Sequence, residues 1–216
     1  MNGFQALQSC QYRKNLLNSA PVIITSAKDP ILPIDTGGRP IILIGLMGCG
    51  KTTIGRELSK MTGMPLIDMD AIIEEQRGKK ISDIFRDEGE AHFRALETAL
   101  LRYIEEDTIP SGKGNVIIST GGGVILKPVN RAILRRIGFT VWFNVDVPTL
   151  LERTSRSQNR PLLQSPDRFN ILTKLLRERA PLYAETAHMR LDSSNISVQD
   201  TVPMVHDAAL RFFSSL

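Results

Sequence analysis

Cysteine is scarce. Two residues in 216, Cys10 and Cys49, are too few for a disulfide framework or a structural zinc site, and Cys49 lies inside a glycine-rich stretch where a bridge would obstruct a ligand. A reducing compartment, the cytoplasm, is the expectation. Long apolar runs are absent too: none approaches the roughly 18 residues of a membrane span, so no contact with a bilayer is expected. The net charge is +4, yet no helix-turn-helix, RNP-like or aromatic-basic pattern accompanies it. The arginines are therefore assigned to a small anionic ligand, with no nucleic-acid partner. No acidic residue precedes Asp29, as in a targeting peptide, but Arg13 and Lys14 give that stretch little of the required arginine-rich character.

What the chain does have is ordinary globular composition, 42% hydrophobic and 23% charged, at a length that suits one domain. Residues 1–39 are polar and carry Pro21, Pro30, Pro33 and the Gly37-Gly38 pair; they read as a flexible or surface-draped extension. Removing Met1 to Thr36 is expected to leave the rate unchanged. From residue 40 onward, strand-like and helix-like segments alternate. Strands are predicted at Ile41 to Ile44, Pro65 to Ile67, Asn115 to Ser119, Thr140 to Val145 and Met189 to Asp192. Helices are predicted at Lys51 to Met61, Asp70 to Gln76, Ile81 to Asp87, Glu90 to Glu106, Pro128 to Ile137, Val147 to Thr154, Arg168 to Arg179 and Val198 to Ser214. Short apolar runs between helices describe strands buried on both faces, which implies an α/β fold with a doubly wound parallel sheet.

Gly45 to Gly55 reads GLMGCGKTTIG and contains G-x-x-x-x-G-K-[ST], with Gly45, Gly50, Lys51 and Thr52 in the fixed places. Glycines let successive backbone N–H groups point at phosphate oxygens, and the following helix adds its dipole. Lys51 is expected to reach the β/γ-phosphates and Thr52 to offer its hydroxyl to Mg²⁺. Gly48, Cys49 and Thr53 belong to the same ATP-binding loop, Cys49 at a variable position with no chemistry assigned. No N-K-x-D guanine reader follows, so ATP is preferred to GTP.

Asp68 and Asp70, in LIDMD, end the second predicted strand, where residues two apart would face the same crevice. One carboxylate for the metal and one for the acceptor hydroxyl would satisfy phosphoryl transfer, although Asp70 could instead cap the next helix. Glu90, Arg94 and Glu97 share a helical face. Arg160, in NRPLL, is placed for a mobile lid that excludes water. Arg179 sits before Pro181, at a predicted helix end. Gly121, Gly122 and Gly123 follow the third strand, where bare backbone can lie against a flat ligand.

Taken in order, G-x-x-x-x-G-K-T, D-x-D, F-R-x-x-E, G-G-G, R-P-L-L and R-x-P-L-Y resemble the shikimate kinases from about Pro40 to the C-terminus. The resemblance implies a P-loop α/β/α sandwich of the nucleoside-monophosphate-kinase type. It would have a five-stranded parallel sheet in order 2-3-1-4-5, a substrate-binding helical part at about 70–106 and a lid at about 153–167. It further implies ATP-dependent phosphorylation of the shikimate 3-hydroxyl, with Mg²⁺, by a monomer. By matching motif, Asp68 helps hold the metal and Asp70 binds substrate hydroxyls as the candidate base. Arg94 and Arg179 take the shikimate carboxylate beside Gly121 to Gly123. Arg160 meets the phosphates and Arg153 lies beside adenine. Three departures stand out: the long extension, the segment LDSSNIS without the family's arginine/proline pair, and Lys80 where a serine cap is common. The alternatives are a related kinase such as one acting on gluconate, and a P-loop protein that binds partners without catalysis.

Overall fold

Four consecutive apolar residues, Ile41–Ile44, form the fully buried strand β1 at the centre of the sheet. The structure, a computed structural model, describes residues 32–110, 113–155 and 167–216. Chain order runs β1, α1 (Lys51–Thr62), β2 (Leu66–Asp68), α2 (Met69–Arg77), α3 (Ile81–Tyr103), a π turn (Ile104–Thr108) and β3 (Ile117–Ser119). A 3₁₀ turn (Val124–Leu126), α4 (Pro128–Ile137), β4 (Phe139–Asn144), α5 (Val147–Thr154), α6 (Arg168–Thr186), β5 (Met189–Asp192) and α7 (Val198–Ser214) follow. The five strands are parallel in the order β2-β3-β1-β4-β5.

The two-residue period of a strand sorts the sheet's side chains into two cores. Ile41, Leu43, Leu66, Ile117, Val141 and Phe143 face α1, α5 and α7, which contribute Ile54, Leu58, Leu150, Val202 and Val205. Ile42, Ile44, Ile67, Ile118 and Trp142 face the other way, against Ile72, Phe93, Leu100, Leu134 and Tyr183 from α2, α3, α4 and α6. Each such buried side chain contributes roughly 1.5–3 kcal/mol before entropy is counted, so both layers are needed. Register brings the carboxyl ends level: Ser119 pairs with Leu43 on one side and Asp68 on the other. The loops leaving β2, β3 and β1 consequently share one rim. No helix among the described residues is long and apolar enough to cross a membrane.

The structure departs from the expected segments in three places. Strand geometry stops at Asp68, which caps α2, so the strand does not run on to Asp70, which lies in the first helical turn where the helix expected at Asp70 to Gln76 has it. The two helices expected at Ile81 to Asp87 and Glu90 to Glu106 are borne out: Gly89, with φ 83° and ψ 162°, is non-helical and divides α3 into two helical stretches across a kink, a conformation that glycine adopts without strain. α6 runs through Pro181 to Thr186, so Arg179 is inside the helix and not at its end. Proline there removes a backbone bond at a cost of about 3 kcal/mol. Burial of Tyr183, stacked on Trp142 with ring centroids 5.8 Å apart, offsets it. Finally, packed chain begins before Pro40. Leu32 N–H donates to Met61 O at 2.7 Å, and Ile34 and Thr36 are buried.

Candidate active site

The phosphate loop connects β1 to α1, the strand–turn–helix setting that its motif requires. Gly48 and Gly50 have φ of 84° and 96°, and a Cβ on Gly48 would meet Thr154 Cγ2 at 2.6 Å, so both positions demand glycine. Gly50 is the N-cap of α1 and supplies no side-chain cap, leaving the first amides of the helix for an anion. Lys51 is buried, and its Nζ donates to the carbonyls of Gly45 (2.8 Å) and Leu46 (3.1 Å) and lies 3.4 Å from Cys49 Sγ.

Beside it, Thr52 Oγ1 donates to Asp68 Oδ2 at 2.9 Å and lies 3.2 Å from Ser119 Oγ. Asp68 Oδ1 accepts from the N–H groups of Asp70 (3.1 Å) and Ala71 (3.3 Å). The capping role considered for Asp70 therefore belongs to Asp68, and capping itself presents Asp70 to the cavity. Asp70 Oδ1 is buried with no hydrogen-bond partner among the described residues. Burial, reinforced by the charges of Asp68 and Glu97 and opposed by Lys51 and Arg94, pushes its carboxyl from 3.8 up to about 7.

Arg94 is anchored from both sides. Its Nε and Nη2 donate to Glu90 Oε1 at 3.1 and 2.8 Å, and its Nη1 donates to Glu97 Oε2 at 2.8 Å. The guanidinium also lies over the rings of Phe85 and Phe93, 5.7 and 5.3 Å from their centroids. Glu97 is 0% exposed, and burial raises its carboxyl despite Arg94. Across from it, Arg179 Nη1 and the Tyr183 hydroxyl both donate to Gly122 O, at 3.2 and 2.5 Å. The glycine triplet admits these side chains as much as any ligand. A Cβ on Gly121 would meet Asp70 Oδ1 and Glu97 Oε1 at 2.7 Å each, and one on Gly123 would run into the Arg94 guanidinium.

One cavity of about 720 Å³ joins the whole set: Gly48 to Thr53, Asp68, Asp70, Arg94, Gly121 to Gly123, Arg153 and Arg179. Arg153 Nη2 lies 3.4 Å from the carbonyls of Ser193 and Ser194, so LDSSNIS borders the cavity although it lacks the family's arginine and proline. Arg160, and with it most of the lid expected at 153–167, falls outside the described residues. Residue-by-residue reasoning missed Ser119, Thr120, Phe85, Phe93 and Ser193 on the cavity wall. Ser119 had a legible signal, a hydroxyl closing a strand directly before a glycine run. The two phenylalanines had none beyond helical spacing. Lys80 indeed gives no side-chain cap; Glu74 Oε1 accepts from Ile81 N–H at 2.9 Å in its place.

A shikimate kinase family model matches residues 47–208. The shikimate kinase of Aromatoleum aromaticum is 41% identical over 172 residues, covering 80% of this chain and 95% of that one. The shikimate kinase of Nitrosomonas europaea is 44% identical over 167 residues, 76% of each chain. Among solved structures, shikimate kinase from Acinetobacter baumannii in complex with shikimate superposes with a TM-score of 0.74 at 36% identity, covering 81% of this chain and 94% of that one. Shikimate kinase from Bacteroides thetaiotaomicron gives 0.70 at 32% identity, with 79% and 97% covered. With the order of its strands, the contents of its cavity and these likenesses in agreement, the chain belongs to the shikimate kinase family.

Proposed function

We propose that this chain transfers the γ-phosphoryl group of ATP to the 3-hydroxyl of shikimate, giving shikimate 3-phosphate and ADP on the route to chorismate. The observation that carries the reading is the convergence of Lys51, Asp70, Arg94 and Arg179 on one cavity. The loop amides and Lys51 hold the β- and γ-phosphates. Arg94, packed against Gly123, and Arg179, hydrogen-bonded to the Gly122 carbonyl, grip the substrate carboxylate through planar forks and fix the ring's orientation. Asp70 takes the proton of the attacking hydroxyl as its oxygen bonds to the γ-phosphorus and the bond to the β-bridging oxygen breaks. A carboxyl at about 7 is matched to that exchange near neutral pH.

Thr52 Oγ1 lies within hydrogen-bond distance of both the Asp68 carboxylate and the Ser119 hydroxyl, a hard-oxygen set that fits Mg²⁺ retaining several waters. When bound, the ion neutralises charge on the β- and γ-oxygens. Arg160 is assigned to the phosphates by its R-P-L-L motif, and Arg153 to the nucleoside side of the cavity. The test offers shikimate, gluconate and AMP side by side in a coupled ADP-release assay. Release with shikimate alone is expected; equal or greater release with either of the others overturns the substrate assignment.

A further inference from the structure

The two arginines assigned to the substrate carboxylate are held in different ways. Arg94 is fixed by Glu90 and Glu97, whose carboxylates accept from its Nε, Nη1 and Nη2. Arg179, 6% exposed, forms no ion pair among the described residues. Its Nη1 donates instead to the Gly122 carbonyl at 3.2 Å, an oxygen to which the Tyr183 hydroxyl also donates, at 2.5 Å. The carbonyls of Gly121 and Gly123 are taken locally, by the N–H groups of Val124 (3.3 Å) and Leu126 (3.0 Å). Gly122 is thus the member of the triplet whose carbonyl is held by α6. A neutral carbonyl holds a guanidinium less firmly than a carboxylate does, so the place of Arg179 depends on how that oxygen is fixed.

Tyr183 fixes it. The residue lies one turn after Arg179 on α6, is 0% exposed, and stacks on Trp142 of β4 with the two rings 21° from parallel. With the ring packed on the sheet, the hydroxyl cannot swing off the carbonyl without breaking that stack. Burial also drives its ionisation far above the ordinary tyrosine range, so the group stays a donor well beyond neutral pH. Arg179 and Gly122 line the cavity and Tyr183 does not, so any effect of Tyr183 on a ligand passes through them. A carboxylate arriving at Arg179 competes with Gly122 O for the guanidinium. With Tyr183 present the carbonyl keeps a partner as Arg179 turns to the ligand; without the hydroxyl, the same turn leaves a buried acceptor unpaired.

We propose that Tyr183 is a positioning residue for the acceptor substrate: its hydroxyl pins and satisfies the Gly122 carbonyl, which frees the Arg179 guanidinium for the substrate carboxylate. The inference deepens the shikimate reading and rests on its pair of arginines. Calorimetric Kd values for shikimate and for ATP are compared in the full chain, Tyr183→Phe, Arg179→Ala and the double variant. Tyr183→Phe, which keeps the ring on Trp142, is expected to weaken shikimate about five- to twentyfold and to leave ATP within about twofold. Arg179→Ala is expected to weaken shikimate by more than about thirtyfold, and adding Tyr183→Phe to it to cost nothing further. Unchanged shikimate binding in Tyr183→Phe overturns the proposal, as does an equal weakening of ATP or a double-variant loss equal to the product of the two single losses. Unchanged binding in Arg179→Ala overturns the arginine assignment itself and this inference with it, so the two failures are told apart. Should Tyr183→Phe fail to fold, solvent exchange of the Tyr183 hydroxyl proton in the unmodified chain, read by NMR, takes its place. Shikimate must slow that exchange and ATP must not; an unchanged rate with shikimate overturns the proposal.

Discussion

Burial first, then the neighbouring charges of Asp68 and Glu97, hold the Asp70 carboxyl at about 7 against an ordinary 3.8. In the folded chain Asp70 keeps a proton that the unfolded chain has already lost between those values. Stability from this residue is therefore full below pH 4 and disappears as pH rises through 7, by about 4 kcal/mol at the upper limit. Asp70→Asn should thus abolish turnover and yet raise the melting temperature at pH 8 in the presence of a chelator, with little gain at pH 4. A gap of the same size at both pH values would show that Asp70 ionises normally. Arg94 has the opposite balance. Arg94→Ala should raise the shikimate KM and also destabilise the fold by about 3–5 kcal/mol, because fully buried Glu97 loses its partner. Adding Glu97→Gln should restore much of the stability and none of the shikimate affinity. Restored affinity in the double variant would remove Arg94 from the binding site.

At the scale of elements, sequence pattern reached every strand and α-helix among the described residues, but neither the π turn at Ile104–Thr108 nor the 3₁₀ turn at Val124–Leu126, and not every joint. β1 and β4 were legible because four apolar residues between helices have little other soluble use, and the shorter β2, β3 and β5, with two apolar residues each, were legible from their place between helical segments. A helix from Asp70 was legible, but its cap was not, because capping by Asp68, two residues earlier, depends on backbone that turns immediately after β2. The run through Pro181 was hidden because a proline normally ends a helix, and the packing of Tyr183 that overrides it is a long-range contact. Lys80 pointed to a poorly capped α3, since the substitute cap comes from α2: Glu74 receives the Ile81 N–H at 2.9 Å and the Lys80 ammonium at 3.2 Å. Glu74→Ala should cost about 0.5–2 kcal/mol, measured by chemical denaturation, with Glu74→Gln retaining part of it. Unchanged stability in both variants would mean that the start of α3 needs no cap from its neighbour.

For the whole molecule, a five-stranded parallel sheet leaves two faces to cover, and the chain before β1 helps to close one of them. Ile34 is buried in the same apolar core as Leu58, Met64, Leu66 and Phe139, to which α1 and α7 contribute. Thr36 Oγ1 donates to Asn115 Oδ1 at 3.1 Å, tying the same segment to the approach of β3, and Leu32 O lies 3.2 Å from His206 Nε2 on α7. None of these groups reaches the cavity, so the segment supports the scaffold and not the chemistry. The expectation that residues up to Thr36 are dispensable concerned rate alone; stability is a separate quantity, and here the two part company. Ile34→Ala should cost about 2–4 kcal/mol of stability through lost burial and the cavity left behind, while kcat and both KM values at 20 °C stay near those of the unmodified chain. A variant with an unchanged melting temperature would show that Ile34 is not a core residue. One with normal stability but depressed kcat would place residues 32–36 in the catalytic machinery instead.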